Sequence, residues 1–496
     1  MENKWDTKHE KADEFDPRRW GLCAEAIRDL GQGLHRVWQR FRVCFKTRTH
    51  DTSAYAFRYL RGALTMNRAR NYANITHCIE GPEQDGQDLQ QFMSDSPWSA
   101  DRVYEQIQSE LMAYPEVQGG MLTLDESGDE KAGETSAGAG RQYLGRIGKV
   151  DVGQVGVVVG YHSGTTWAMV DAELYLPEPW FDEAHRDLRR RWHVPAERTY
   201  TTKQTVGLQL IQRAQARGLP FRVVGCDSNY GRDSLFRAAL QAEGLTYVAD
   251  IPSSTVVYLA PPVVGVPATP PDHRGPPFTQ ARVLNEVAAR PQTVHQVAQR
   301  PDLAWDVCPI RATERGPLTT SCALRRVWSV TTAGDVLTEW LLIQRQADGK
   351  LRYSLSNAPA DTSRTRLAQW QHQRYFAERI FQDAKSQAGW DEFQALKYRA
   401  WQHHTALDAL ALWFIAQTKL DWARSHPPDP TLPDQLHVPA APSLSFANVR
   451  ELLRAALPLP QLSIEQATRL VVSHLVKRSA STRSRIKRPH PDTAVT

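Results

Sequence analysis

The chain has 496 residues, 41% of them hydrophobic, and its 60 Lys and Arg against 55 Asp and Glu give a formal charge of +5. That length allows two to four domains with large cores, so neither disulfides nor metal staples are needed for stability. The six cysteines form no CxxC pair, the charged start MENKWDTKHEKADEF lacks a signal-peptide apolar run, and no stretch approaches the roughly 18 apolar residues of a membrane span. A reduced, cytoplasmic protein with no membrane partner is expected.

Charge is unevenly spread along the chain. Residues 36 to 70 hold nine basic residues (Arg36, Arg40, Arg42, Lys46, Arg48, Arg58, Arg61, Arg68 and Arg70) against Asp51, a local charge of +8. Residues 477 to 488 add six more with no acid, which leaves −9 for the rest. With Trp38, Phe41, Phe45 and Tyr59 interleaved among the first set, this segregation is the electrostatic footprint of a nucleic-acid binder; a solvated face is the plainer alternative.

Residues 15 to 115 contain no β-branched runs, and SDSPWSADRVYEQIQSEL joins a Ser-rich helix start to apolar residues at helical intervals, which predicts a helical N-terminal domain. From residue 119 the texture changes. GGMLTLDESGDE, VGQVGVVVGYHSG and TTWAMVDAELYLP read as three successive strands. TKQTVGLQLIQRAQARG then predicts a helix closed by Gly218, FRVVGCD a strand, RDSLFRAALQAEG a helix closed by Gly244, and LTYVADIP a strand. The order βββαβαβ implies an α/β fold with a mixed sheet whose second half is parallel. Residues 252 to 295 are rich in Pro and Gly, and 305 to 357 carry strand-like runs before a long helical segment expected over 365 to 420, so the β-rich block reads as an insertion. A Pro-rich linker after PPDP, a helical pair near 447 to 477 and a disordered basic end are expected beyond it.

Two acids stand at corresponding places. Asp125 follows MLTL at the end of the first strand and Asp227 follows VVGC at the end of the fourth. The ends of neighbouring strands converge in an open α/β sheet, so the pair can share a metal; each alone also reads as a turn or helix cap. In FAERIFQDAKSQAGWDEF, residues 376 to 393, Glu378 falls on the same helical face as Arg374 and Lys385, within about 40° at 100° per residue. A surface salt bridge is the simpler account of Arg374 with Glu378. Three carboxylates from two strands and a later helix would form an oxygen cage suited to two Mg²⁺ ions, with Arg374 and Lys385 holding a phosphodiester.

These blocks resemble bacterial insertion-sequence transposases of the DDE superfamily, in the branch marked by a Tyr, Arg, Glu, Lys signature. Arg374, Glu378 and Lys385 match its spacing; the Tyr position falls on Gln371, a departure, with Tyr375 close by. LTLDESGDEKAG, RQYLGRIGKVDVGQVGV, VVGCDSNYG, RYSLSNAP and KYRAWQHHTAL match in order across residues 121 to 410, with Glu126 where a second Asp is common. The resemblance implies a ribonuclease-H-like core of mixed sheet interrupted by a β-rich insertion, and Asp125, Asp227 and Glu378 as catalytic metal ligands. It implies Mg²⁺, replaceable by Mn²⁺, and double-stranded DNA as partner, both terminal inverted repeats and target. It further implies a homodimeric synaptic complex and a nucleoid-associated cytoplasmic location. The expected layout is a DNA-binding helical domain at 1–115, core at 116–251, insertion at 252–357, catalytic helix and end of core at 358–425, and a linker, helical segment and basic tail at 426–496.

Among the basic residues, Arg374, Lys385, Arg36, Arg40, Arg42, Lys46, Arg48 and Lys203 are the DNA-contact candidates. Trp305, Trp328 and Trp340 in the insertion read as core or as stacking platforms for a flipped end base. His403 and His404 read as capped or solvent-edge histidines, or as phosphate contacts. Two rivals remain: a metal-dependent nuclease that cuts without joining, and an inactive DNA-binding descendant acting as repressor or architectural protein.

Overall fold

A computed structural model describes residues 14–80, 86–164, 166–313, 316–392, 396–457 and 464–486. Five helices come first: α1 (Ala24–Phe41), α2 (Ser53–Thr65), α3 (Tyr72–Glu80), α4 (Gln87–Asp95) and α5 (Ala100–Met112). In α1, Ile27, Leu30, Leu34, Val37, Trp38 and Phe41 recur at three- and four-residue intervals, and all are buried. Strands β1 (Gly120–Glu130), β2 (Gly140–Leu144), β3 (Lys149–Ser163) and β4 (Thr166–Tyr175) follow. After the short α6 (Arg186–Arg191), helix α7 (Lys203–Ala216) leads to β5 (Phe221–Cys226), and α8 (Ser228–Gly231) and α9 (Ser234–Ala242) lead to β6 (Tyr247–Ile251). The α7 crossover brings the chain from β4 to β5, parallel beside β1, and the α8–α9 crossover sets β6 parallel beside β5, while β3 runs antiparallel to β1 and β4 to β3. The expected βββαβαβ order is therefore present, with β2 added beside the first half of β3.

The β-rich block does not form a separate sheet. Its strands are β7 (Val256–Tyr258), the small pair β8 (Val264–Gly265) and β9 (Arg282–Val283), β10 (Pro291–Thr293) before α10 (Val294–Ala298), β11 (Trp305–Thr313), β12 (Gly316–Val330), β13 (Val336–Arg345) and β14 (Leu351–Ser356). Strand β14 pairs with β6, so the order β10-β7-β12-β13-β14-β6-β5-β1-β3 continues the central sheet outward. A buried ion pair ties the extension down: Arg237 on α9 meets Glu339 on β13 at 2.9 Å, and Tyr247 and Ser329 donate to the same carboxylate.

The helical stretch expected over 365 to 420 is broken. It comprises α11 (Arg364–Gln373), α12 (Tyr375–Asp383), a π-helical turn at Ala384–Ala388, a 3-10 turn at Trp390–Glu392 and α13 (Tyr398–Ser425). No proline causes these breaks. Arg374 tightens the chain between α11 and α12, its N–H bonding back to Gln371 and His372, and Gly389 takes φ +93°, a left-handed value that ends the π-turn. The last helices are α14 (Leu432–Leu436), α15 (Phe446–Ala456) and α16 (Ile464–Ile486). The basic run from 477 to 486 lies on α16 and not in a disordered tail; Lys487, Arg488 and the rest of the chain lie outside the described residues.

One hydrophobic core runs through α1 to α5, the face of the sheet under α7 and α13, and α15. A second lies within the outer strands, and a third sits between Met121, Val223 and Val248 of the sheet and Leu367 and Ala368 of α11. His403 and His404 are buried in α13. The His403 ring lies within hydrogen-bond distance of the carbonyls of Met93 and Trp98, and the His404 ring meets Tyr59 and the Trp390 carbonyl. They are core residues and not solvent-edge histidines or phosphate contacts.

Two stability predictions follow from these buried groups. Glu339→Ala leaves Arg237 buried without a counter-charge, and the expected cost of about 3–5 kcal/mol is read as a lowered urea midpoint. His162, buried on β3 and stacked on Phe376 at 4.8 Å, has its ring pushed down to about 3 by burial from an ordinary 6.5. Between those values the unfolded chain binds the proton and the folded chain does not, so stability is full above about 6.5 and is lost as pH falls toward 3. Lowering the pH from neutral to about 5 should cost about 2 kcal/mol through this residue. His162→Leu should melt with a flatter pH profile.

Candidate active site

The register of the parallel strands assembles the site. Leu124 pairs with Cys226, and Cys226 with Ala249, so the next residues, Asp125, Asp227 and Asp250, fall in one row where the parallel pairing stops; β1 itself runs on to Glu130 beside β3, so Asp125 lies within its strand and not at the strand end that the sequence suggests. Burial and the charge of Asp227 push the Asp125 carboxyl up to about 7, against the opposing pull of Arg374. Asp227 is also raised by burial, although its Oδ1 caps α8 by accepting from the N–H groups of Asn229 (3.0 Å) and Tyr230 (3.3 Å). The side-chain period of two turns Glu126 away from Asp125, to Lys203 at the start of α7, with Nζ 2.5 Å from the carboxylate. Lys203 also lies over the Tyr175 ring, so this DNA-contact candidate is engaged within the fold.

Asp250 is the residue that sequence reasoning missed. It accepts from Arg374 Nε (3.0 Å), Gln371 Nε2 (3.2 Å) and Ser354 Oγ (2.7 Å), while Arg374 Nη1 stands 3.7 Å from Asp125. A signal existed, since YVAD ends its strand as VVGCD does. Gln371 is buried, and its amide holds Asp250 instead of facing outward as a DNA-bracing ring would; Tyr375 is 47% exposed.

Helix α12 forms the facing wall. Glu378, Phe381 and Gln382, with Lys385 on the π-turn, line a cleft of about 800 Å³ shared with Asp125, Glu126, Asp227 and Asn229. Lys385 lies 3.7 Å from Asp129 on β1. The cleft thus gathers all three sequence-predicted acids and Lys385 on its walls, with Arg374 behind them. Among the described residues no three acids, histidines or cysteines are grouped closely enough to hold a metal ion as the side chains stand. The donor set is nonetheless all oxygen. Two of its buried carboxyls are held above their ordinary range with one guanidinium between them and Asp250, and that unbalanced negative charge fits a hard divalent cation.

The N-terminal basic residues are less free than their count implies. Arg40 gives its guanidinium to Glu110 (2.5 Å), and Arg42 and Lys46 both turn to Asp51 (2.9 and 3.6 Å). Arg36 and Arg48 are exposed. Trp305, Trp328 and Trp340 are half-buried, with Arg345 over the first ring and Arg326 over the last, each at 4.9 Å.

A row of acids where parallel strands stop pairing, facing an acid on a helix, is the arrangement of a metal-assisted phosphodiester enzyme. The chain matches the family of DDE superfamily endonucleases over residues 40–317, more than half its length, and belongs to that family. The match takes in Asp125, Asp227 and Asp250 and ends before Glu378. The chain is also 30% identical, over 213 residues, to the probable transposase for insertion sequence element IS701 of Microchaete diplosiphon. That similarity covers 42% of this chain and about half the relative's length (51%).

The charge balance predicts stability changes of opposite sign. In metal-free buffer Asp125→Asn, which relieves repulsion between two buried carboxyls, should raise the melting temperature, by the equivalent of about 2 kcal/mol. Asp250→Asn, which strips Arg374 of its closest partner, should lower it by about 3 kcal/mol. Equal changes in both variants would contradict the assignment.

Proposed function

We propose that the chain is an insertion-sequence transposase that cuts DNA phosphodiesters at the ends of its element and joins the freed 3′-hydroxyls to target DNA. The observation that carries this reading is the juxtaposition of Asp125 and Asp227, set side by side by strand register, with Glu378 across one cleft. The similarity to a probable transposase supports it, as does the strand order β4-β3-β1-β5-β6, which suits a ribonuclease-H-like core.

Asp125, Asp227 and Glu378 would hold two Mg²⁺ ions, or Mn²⁺ in their place, which supply charge neutralisation and activation of the attacking oxygen. Arg374 keeps Asp125 oriented through its hold on Asp250. Lys385, with Arg146 and Arg232 also on the cleft wall, presents cations where a phosphodiester would lie, fixing its position without moving a proton. The N-terminal helices would recognise the terminal inverted repeats, with Arg36 and Arg48 as exposed phosphate contacts. Because two ends are cut and joined in one event, two copies of the chain act together.

The test is Mg²⁺-dependent cleavage of a duplex bearing the inverted repeats that flank the coding gene, with wild type and Asp227→Ala compared at matched binding. Cleavage should fall at least about a thousandfold in the variant while repeat binding stays within about twofold. Repeat-specific binding without cleavage by either protein, in Mg²⁺ or Mn²⁺, would instead identify an inactive DNA-binding descendant. Cleavage without joining of a labelled 3′ end would identify a nuclease.

A further inference from the structure

Helix α12 has a second occupied side. Glu378, Phe381 and Gln382 face the cleft, whereas Tyr375, Phe376 and Arg379 line a separate groove of about 520 Å³. At about 100° per residue the centres of the two sets lie about 110° apart around the helix, and Arg379 of the groove donates to Gln382 of the cleft at 2.6 Å. Four cations from four elements converge on this groove: Arg311 of β11, Arg379 of α12, Lys419 of α13 and Arg478 of α16. Among the described residues that line it there is no carboxylate.

The floor is aromatic. Trp167 stacks on Phe446 at 4.8 Å and lies 5.6 Å from Phe376, with Lys419 at 5.3 Å and Arg379 at 5.8 Å from its ring centre. Arg311 sits 5.8 Å from the Tyr375 ring. Asp383 is buried beside Trp167, where it accepts from Trp167 Nε1 (2.9 Å) and stands 3.7 Å from Arg379. Burial and the charges of Arg478 and Arg379 lower Lys419 to about 8, while Asp383 opposes them. Cations crowded together at this cost leave an attractive potential for a polyanion, and their arrival from four separate elements rules out the by-product of one basic run.

We propose that this groove holds a stretch of duplex DNA backbone distinct from the one that enters the catalytic cleft, with its phosphates between Arg311, Arg379, Lys419 and Arg478. The choice of DNA over other polyanions rests on the transposase reading. A strand-transfer enzyme handles two DNA segments at once, and the groove lies beside the acid-lined cleft around the same helix.

The full-length chain is titrated with a labelled duplex lacking the terminal repeat, in EDTA across a range of salt, so that the readout is independent of cleavage. Arg311→Ala/Arg478→Ala should bind at least about tenfold more weakly near 150 mM salt, with a salt slope smaller by about 2. Arg311→Lys/Arg478→Lys should restore most of both. The control Arg274→Ala/Arg290→Ala removes the same charge from exposed positions elsewhere. An equal loss in this control, or unchanged affinity and slope in the groove variant, would overturn the proposal, as would loss of binding to an acidic polypeptide with duplex binding intact. Failure of the wild type to cleave in Mg²⁺ would sink the catalytic reading and leave this binding result standing.

Discussion

Three parallel strands each carry a carboxylate at the level where their mutual pairing stops, and the energetic problem this creates organises the centre of the molecule. Asp125, Asp227 and Asp250 are neighbours because register places them so, and hydrophobic burial on both faces of β1, β5 and β6 specifies that register strongly. A slip of one residue would exchange Leu122, Leu124 and Val224, which pack in the first core, with Met121 and Val223, which pack against α11. The core therefore forces like charges together, and Arg374 relieves only part of the repulsion. That guanidinium explains the break between α11 and α12: a straight helix would carry Arg374 along its own face, whereas the tightened turn holds it between Asp250 and Asp125.

The acid-bearing wall is in turn anchored from the N-terminal helices. Arg70, which follows α2, is buried and donates to Glu392 (3.0 Å) and to the Ser386 carbonyl in the π-turn (3.2 Å). Its side chain fills the space where a Cβ on Gly389 would stand. An arginine counted in sequence among the basic footprint thus clamps the turn that presents Lys385. Because one core spans the helices and the sheet, the N-terminal helices and the catalytic wall are mechanically continuous.

Sequence periodicity and strand-end chemistry carried much of this fold. The apolar runs MLTL and VVGC marked the central strands, and an acid after each marked the cleft. What sequence could not reveal was partnership. Asp250 carried the same signal as Asp227, but its capture by Arg374 depends on a residue 124 positions away. The nine basic residues at 36 to 70 looked available because local counting registers only Asp51; Glu110 and Glu392 neutralise Arg40 and Arg70 from distant segments. Helical geometry at constant pitch likewise placed Arg374, Glu378 and Lys385 on one face, yet two of the three stand beyond breaks set by tertiary contacts and by the left-handed conformation of Gly389.

An acidic cleft is a poor place to bring DNA unless cations act before the metal does. Two buried carboxyls and Glu378 repel an approaching backbone, and Lys385 is partly committed to Asp129. The other cations on the cleft wall are also engaged, Arg146 with Glu130 and Arg232 with Asn229. Placing Arg311, Arg379, Lys419 and Arg478 along an adjoining side of α12 keeps those cations out of the cleft lining. On the proposed reading the groove attracts a polyanion while the acids are left to a hard cation, so one helix would serve two electrostatic tasks of opposite sign.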